Sequence, residues 1–115
     1  MKSLNYLKKD SDFTRVYREK KTSGNRNLVF YRRKNHLAIT RIGFSISKKV
    51  GGAVVRNRIK RQLREIYFKE LKRIKPGYDI VCVVKKGGGQ LSYQQLESSF
   101  NHLLRVSKLE KKVIK

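Results

Sequence analysis

Apolar residues fall along this chain in blocks whose spacing switches between helical and extended periods. Phe13, Val16 and Tyr17 stand at i, i+3 and i+4 just after Asp10 and Ser11, which predicts a short helix capped by one of those two polar residues. Polar residues Lys20 to Asn25, with Gly24 among them, read as a loop, and β-prone Leu28 to Tyr31 as a strand. Arg32 to His36 is a polar connection compatible with a hairpin. The next strand, Arg41 to Ser47, alternates cleanly. Ile42, Phe44 and Ile46 point one way, and Arg41, Gly43, Ser45 and Ser47 the other. One face suits a core, while the small polar face leaves room for the backbone of a ligand.

Lys48 to Gly52 turns the chain into a helix from Ala53 to about Arg73. Ile59, Leu63, Ile66, Tyr67 and Ile74 gather on one side of it. At roughly 100° per residue, Asn57, Lys60, Arg61 and Arg64 share a neighbouring face. Pro76-Gly77 ends the helix, and Tyr78 to Val84 is apolar nearly throughout, as expected of a strand covered on both faces. After a loop from Lys85 to Gln90, Leu91 to Leu109 forms a second amphipathic helix. Ser92 is its cap and Gln95 completes a capping box. The order α-β-β-α-β-α, with room for an extra short strand at the turns, predicts an α+β fold: a two-layer α/β sandwich in which one small sheet carries helices. A single domain spans 1–115, with 1–6 and 110–115 expected to fray.

Charge alters this picture most. Thirty Lys and Arg against eight Asp and Glu give +22 and a pI near 10.6. A compact domain carrying that charge repels itself, and a polyphosphate offers the counter-surface, since released counterions supply binding free energy. Neither a basic helix with a wide apolar face nor a lipidation signal is evident, so a membrane is not the expected partner. Between Arg56 and Lys75 nine bases face two acids, too few for a face balanced by i, i+4 pairs. The arginine fork suits phosphate, and Lys48 and Lys49 extend the patch toward the helix N-terminus. Phe13 and Tyr17 on one helix face, with Val29 and Tyr31 on one strand face, can stack single-stranded bases; otherwise these rings are core.

Catalytic chemistry is hard to find. His36 and His102 stand alone, the few acids are scattered, and no cysteine pair offers a zinc site. Gly87-Gly88-Gly89 lacks a following Lys-Ser/Thr and is no phosphate cradle. The lone cysteine, Cys82, sits in an apolar run and reads as core. Met1 to Lys9 lacks the apolar stretch of a signal peptide, and a cytoplasmic protein fits best.

Lys48-Lys49-Val50-Gly51, followed by Ala53-Val54-Val55-Arg56-Asn57-Arg58-Ile59-Lys60-Arg61-Gln62-Leu63-Arg64-Glu65, resembles the signature of the bacterial ribonuclease P protein subunit. Asp12 to Tyr17, Asn25-Arg26, the Tyr78-Asp79-Ile80-Val81 strand and the final helix resemble that family too, so the likeness runs in order through nearly the whole chain. Gly52 stands where the family commonly has Asn, and Lys20 where a Gly is frequent.

That resemblance implies a left-handed β-α-β crossover, as in some ribosomal proteins, although most crossovers are right-handed. It also implies a ribonucleoprotein whose RNA subunit cleaves the 5′ leader from precursor tRNA, with Mg²⁺ held mainly by RNA and no obligate protein partner. On this view Lys48, Lys49, Arg56, Asn57, Arg58, Lys60, Arg61 and Arg64 dock on the catalytic RNA. Phe13, Tyr17, Val29, Tyr31, Ser45 and Ser47 hold the leader, and no residue of the chain is catalytic. A ribosomal protein or general RNA chaperone would share the charge and the aromatics; the ordered Arg-Asn-Arg segment sets the first reading apart.

Overall fold

The computed structural model describes residues 5–111. Helix α1 spans Asp10–Arg18, and its first turn is closed by Asp12 rather than by Asp10 or Ser11: Lys9 N donates to Asp12 Oδ2 at 3.3 Å. Strand β1 (Thr22–Gly24) follows, inside the stretch expected to be a loop, then β2 (Leu28–Lys34) and β3 (Arg41–Ser45). Helix α2 runs Ala53–Glu70 and tightens into a 3-10 turn at Leu71–Arg73, ahead of β4 (Tyr78–Val84). After a 3-10 turn at Gly88–Gln90, α3 spans Tyr93–Val106. Its reciprocal cap is in place: Gln95 N donates to Ser92 Oγ at 3.1 Å and Ser92 N to Gln95 Oε1 at 2.8 Å.

The sheet order is β1-β2-β4-β3. β4 pairs antiparallel with β2 and parallel with β3, so the hairpin expected between β2 and β3 does not form. The reason lies in β4. Its Ile80, Cys82 and Val84 on one side and Val81 on the other are all buried, so it needs cover on both faces and takes a central place between β2 and β3, whose Val29, Tyr31, Arg41 and Ser45 on the α1 side are only half-buried. β3 reaches its parallel neighbour through α2, as a β-α-β crossover requires.

On one face, Leu28, Phe30, Ile42, Ile80, Cys82 and Val84 meet Ile59, Leu63 and Ile66 of α2 and Leu96, Phe100 and Leu103 of α3. This is the main sandwich. Burial pushes the Cys82 thiol up, which leaves it an inert core group. On the opposite face α1 covers part of the sheet, with Val16, Leu7 and Val81 buried and Phe13, Tyr31 and Val83 packed around them.

Of the segments expected to fray, 1–6 and 110–115, the structure describes only Asn5, Tyr6, Glu110 and Lys111, and these touch the body of the fold. Tyr6 bridges to Ile42 and Asn5 Nδ2 donates to Thr40 O; Glu110 bridges to Ile74 and pairs with Arg73. Residues 1–4 and 112–115 lie outside the described part. Among the described residues no helix is long and apolar enough to cross a membrane.

Candidate nucleic-acid interface

Helix α2 begins at Gly52 with no side-chain cap and no acid in its first turn, so nothing in that turn offsets the partial positive charge of its free amides. One turn on, Asn57, Lys60, Arg61 and Arg64 line a single concavity of about 330 Å³, the grouping expected from helical spacing. Among the described residues none of these cations is held in an ion pair. Arg64 is backed by an aromatic ring: its guanidinium carbon lies 5.3 Å from the centroid of Tyr6, and its Nε is buried with no hydrogen-bond partner. Stacking on a ring fixes the plane of the fork while leaving donors unspent.

Arg56 and Arg58 sit differently. Arg56 Nε donates to Gly51 O at 3.1 Å, and Arg58 Nη2 to Gly89 O at 2.7 Å. Each has therefore committed a donor to the backbone, and Arg58 binds the loop after β4 to the start of α2. Sequence alone does not single that loop out. Lys86, Gly87, Gly89 and Gln90 line a cleft of about 610 Å³ with Lys49, Val50 and Val55. A signal is present, since Lys85-Lys86 follows β4 as Lys48-Lys49 follows β3. It becomes informative only once those strands are known to be parallel neighbours, whose C-terminal ends lie side by side.

The second group of residues gathers on the α1 face of the sheet. Val29, Val83 and Ser45 are cross-strand neighbours and form one row; Tyr31, Val81 and Gly43 form the next. Phe13 lies directly on Gly43, where a Cβ would stand 2.3 Å from the ring. A glycine is needed here for close approach, and it lets α1 sit low on the sheet. The Tyr17 and Tyr31 rings meet edge to face at 4.8 Å, and Tyr17 stays exposed. Val29, Val83 and Ser45 are half-buried, and together with Phe13, Tyr17 and Tyr31 they form a shelf beside α1. Ser47 does not join this row, because β3 ends at Ser45 and Ser47 O accepts from Val50 N at 3.0 Å within a turn.

Asn25 is structural. Its Oδ1 accepts from the amides of Asn27 and Leu28, and its Nδ2 donates to Ser99 O, which ties the turn before β2 to α3. The acids are largely engaged: Asp79 with Arg41, Glu70 and Glu110 with Arg73, Glu97 with Lys69, and Asp12 with Arg15. Among the described residues no group of three or more His, Cys, Asp or Glu side chains could hold a metal ion.

The family described as Ribonuclease P matches residues 1–108. The chain is 41% identical over 105 residues to the ribonuclease P protein component of Alkaliphilus oremlandii, covering 91% of this chain and 92% of that one. Its backbone superposes on the RNase P protein of Staphylococcus aureus with a TM-score of 0.86 at 32% identity, covering 93% of this chain and 98% of that one. The RNase P protein of Thermotoga maritima gives 0.81 at 30% identity, over 86% and 96% of the two chains.

Proposed function

The chain belongs to the ribonuclease P protein family, and from that premise we propose that it acts in tRNA processing as the non-catalytic protein subunit of an endoribonuclease, with the active site in its RNA partner. The observation that carries this reading is the concavity of Asn57, Lys60, Arg61 and Arg64, whose cations are outside any ion pair among the described residues. This face, with Lys48, Lys49, Arg56 and Arg58, docks on the RNase P RNA. Its cations neutralise phosphates and screen repulsion between two RNAs.

The shelf of Phe13, Tyr17, Val29, Tyr31 and Ser45 receives the single-stranded 5′ leader of precursor tRNA. Exposed ring faces stack bases of any identity, so contact here is largely sequence-tolerant. Lys48, Lys49 and Lys86 stand where β3 and β4 end, just past the Ser45–Val83 row, and link the shelf to the helix face. Mg²⁺ is held mainly by RNA, where it supplies charge stabilisation at the cleaved phosphate. Asp12, Glu70, Asp79 and Glu110 pair with arginines and Glu97 with Lys69, and among the described residues no three His, Cys, Asp or Glu side chains converge on a metal position.

The test mixes the protein with a bacterial RNase P RNA and a precursor tRNA at low Mg²⁺. Stimulated cleavage at the 5′ end of the mature tRNA is expected, with no cleavage by protein alone. Absence of stimulation would refute the proposal and favour a general RNA-binding module.

A further inference from the structure

On the sheet face that carries the shelf, Val29, Tyr31 and Arg33 follow one another at alternate positions of β2. At ~3.3 Å per residue, Arg33 stands about 13 Å from Val29, one pleat beyond Tyr31. Its cross-strand neighbour is Asp79 of β4, whose neighbour on the other side is Arg41 of β3. Three charged residues thus form a row across the sheet, parallel to the apolar rows.

Asp79 is 1% exposed, and a carboxylate that deeply buried needs full pairing. Arg41 supplies it with a fork: Nε donates to Oδ1 at 2.9 Å and Nη2 to Oδ2 at 2.8 Å. Asn35 Nδ2 adds a bond to Oδ1 at 2.8 Å. Arg33 Nη1 comes only to 4.0 Å from Oδ2, beyond hydrogen-bond reach, and its side chain keeps 30% exposure. The nearby carboxylate of α1, Asp12, which is felt by Arg41, has Arg15 at 3.6 Å and the Lys9 amide for itself. Both acids at this end are provided for. Arg33 is steered by Asp79 but hydrogen-bonded to nothing among the described residues, a surplus fork in line with the ring of Tyr31.

We propose that Arg33 binds a backbone phosphate of the leader, so that the leader path continues along β2 past Tyr31 and ends at the Arg33–Asp79–Arg41 row. This contact rests on the leader reading of the shelf and extends it. The shelf's other end lies beside Lys48 and α2, so Arg33 contacts the part of the leader farthest from the cleaved bond. Asp79 acts as a positioning residue that keeps the Arg33 fork over the sheet.

The experiment reconstitutes the protein with a bacterial RNase P RNA and measures Kd for precursors whose leaders are shortened one nucleotide at a time. Arg33→Gln should lose about fivefold with a long leader and nothing once the leader is too short to reach it, while Arg33→Lys keeps most of the affinity. Tyr31→Ala, run in parallel, should keep its loss down to shorter leaders. Replacing the distal leader phosphates one by one with uncharged methylphosphonates should weaken the unaltered protein and leave Arg33→Gln indifferent at one linkage; this comparison holds even if the variant is less stable. An Arg33→Gln loss that is the same for every leader length, or no loss at all, overturns the inference. If Tyr31→Ala is also blind to leader length, the leader reading of the shelf fails with it; if only Arg33→Gln is blind, this inference fails alone.

Discussion

The cationic face of α2 and the shelf beside α1 lie on opposite sides of one sheet and are built by opposite means. On α2 the donors project from a helix whose shape is set by its own backbone bonds and by Ile59, Leu63 and Ile66 beneath it. Lys60, Arg61 and Arg64 are long, charged and, among the described residues, outside any ion pair, so any one of them can be lost without disturbing the others. The shelf has no such independence. Phe13 reaches its place only because Gly43 lets it down onto β3, and Tyr17 leans on Tyr31. A helix face can therefore offer many additive electrostatic contacts, while a shelf between layers offers a few coupled, nearly salt-independent ones.

That contrast can be tested in graded steps. Lys60→Ala combined with Arg61→Ala should have the largest effect, a loss of RNase P RNA affinity of about tenfold per contact with unchanged thermal stability. The slope of log affinity against log salt should fall by about one unit per lost phosphate contact. Arg56→Ala with Arg58→Ala should cost less affinity, because each has already given a donor to a backbone carbonyl. An unchanged slope in both pairs would move the docking face elsewhere.

Next comes Tyr31→Ala, expected to weaken precursor binding by about 1–3 kcal/mol, the cost of one lost stacking platform, and to leave mature tRNA alone. Equal losses for the two tRNAs would count against the shelf. Gly43→Ala probes the coupling directly. Its methyl group must displace Phe13, so stability should drop by about 1–3 kcal/mol and leader binding should fall with it, while the α2 face keeps its affinity. A melting curve and a leader-dependent Kd check both halves.

The smallest effects concern two turns. Lys20 has φ +56, in the left-handed region, at a position where glycine is frequent in the family. Lys20→Gly should stabilise the fold by about 1 kcal/mol in denaturant unfolding. Gly52, the uncapped start of α2, has extended backbone and open space where a Cβ would stand. Gly52→Asn should therefore add a few tenths of a kcal/mol, about the difference between the two caps. Neither change should alter either binding surface.

Much of this architecture is legible in the residues. The spacing of Ile59, Leu63, Ile66 and Tyr67 places α2 and, with it, the grouping of Asn57, Lys60, Arg61 and Arg64. Ser92 with Gln95 marks the start of α3, and the apolar run from Ile80 to Val84 marks β4. The short β1 escapes such a reading because Thr22–Gly24 has no apolar alternation and becomes a strand only by pairing with β2. Lys86 and Arg33 escape it because their meaning depends on strands far away in sequence.

The features that the residues settle unaided are local: element type, helix phase, caps, and a charge excess too large for internal pairing. They follow from periodicity and composition, which act over a few residues. The strand order β1-β2-β4-β3 belongs to the folded chain as a whole. It puts Val83 between Val29 and Ser45, Gly43 under Phe13 and Asp79 between two arginines, because a strand apolar on both sides gains most from a central place. A shelf is a property of neighbours across strands, and neighbours across strands are chosen by burial of the whole sheet.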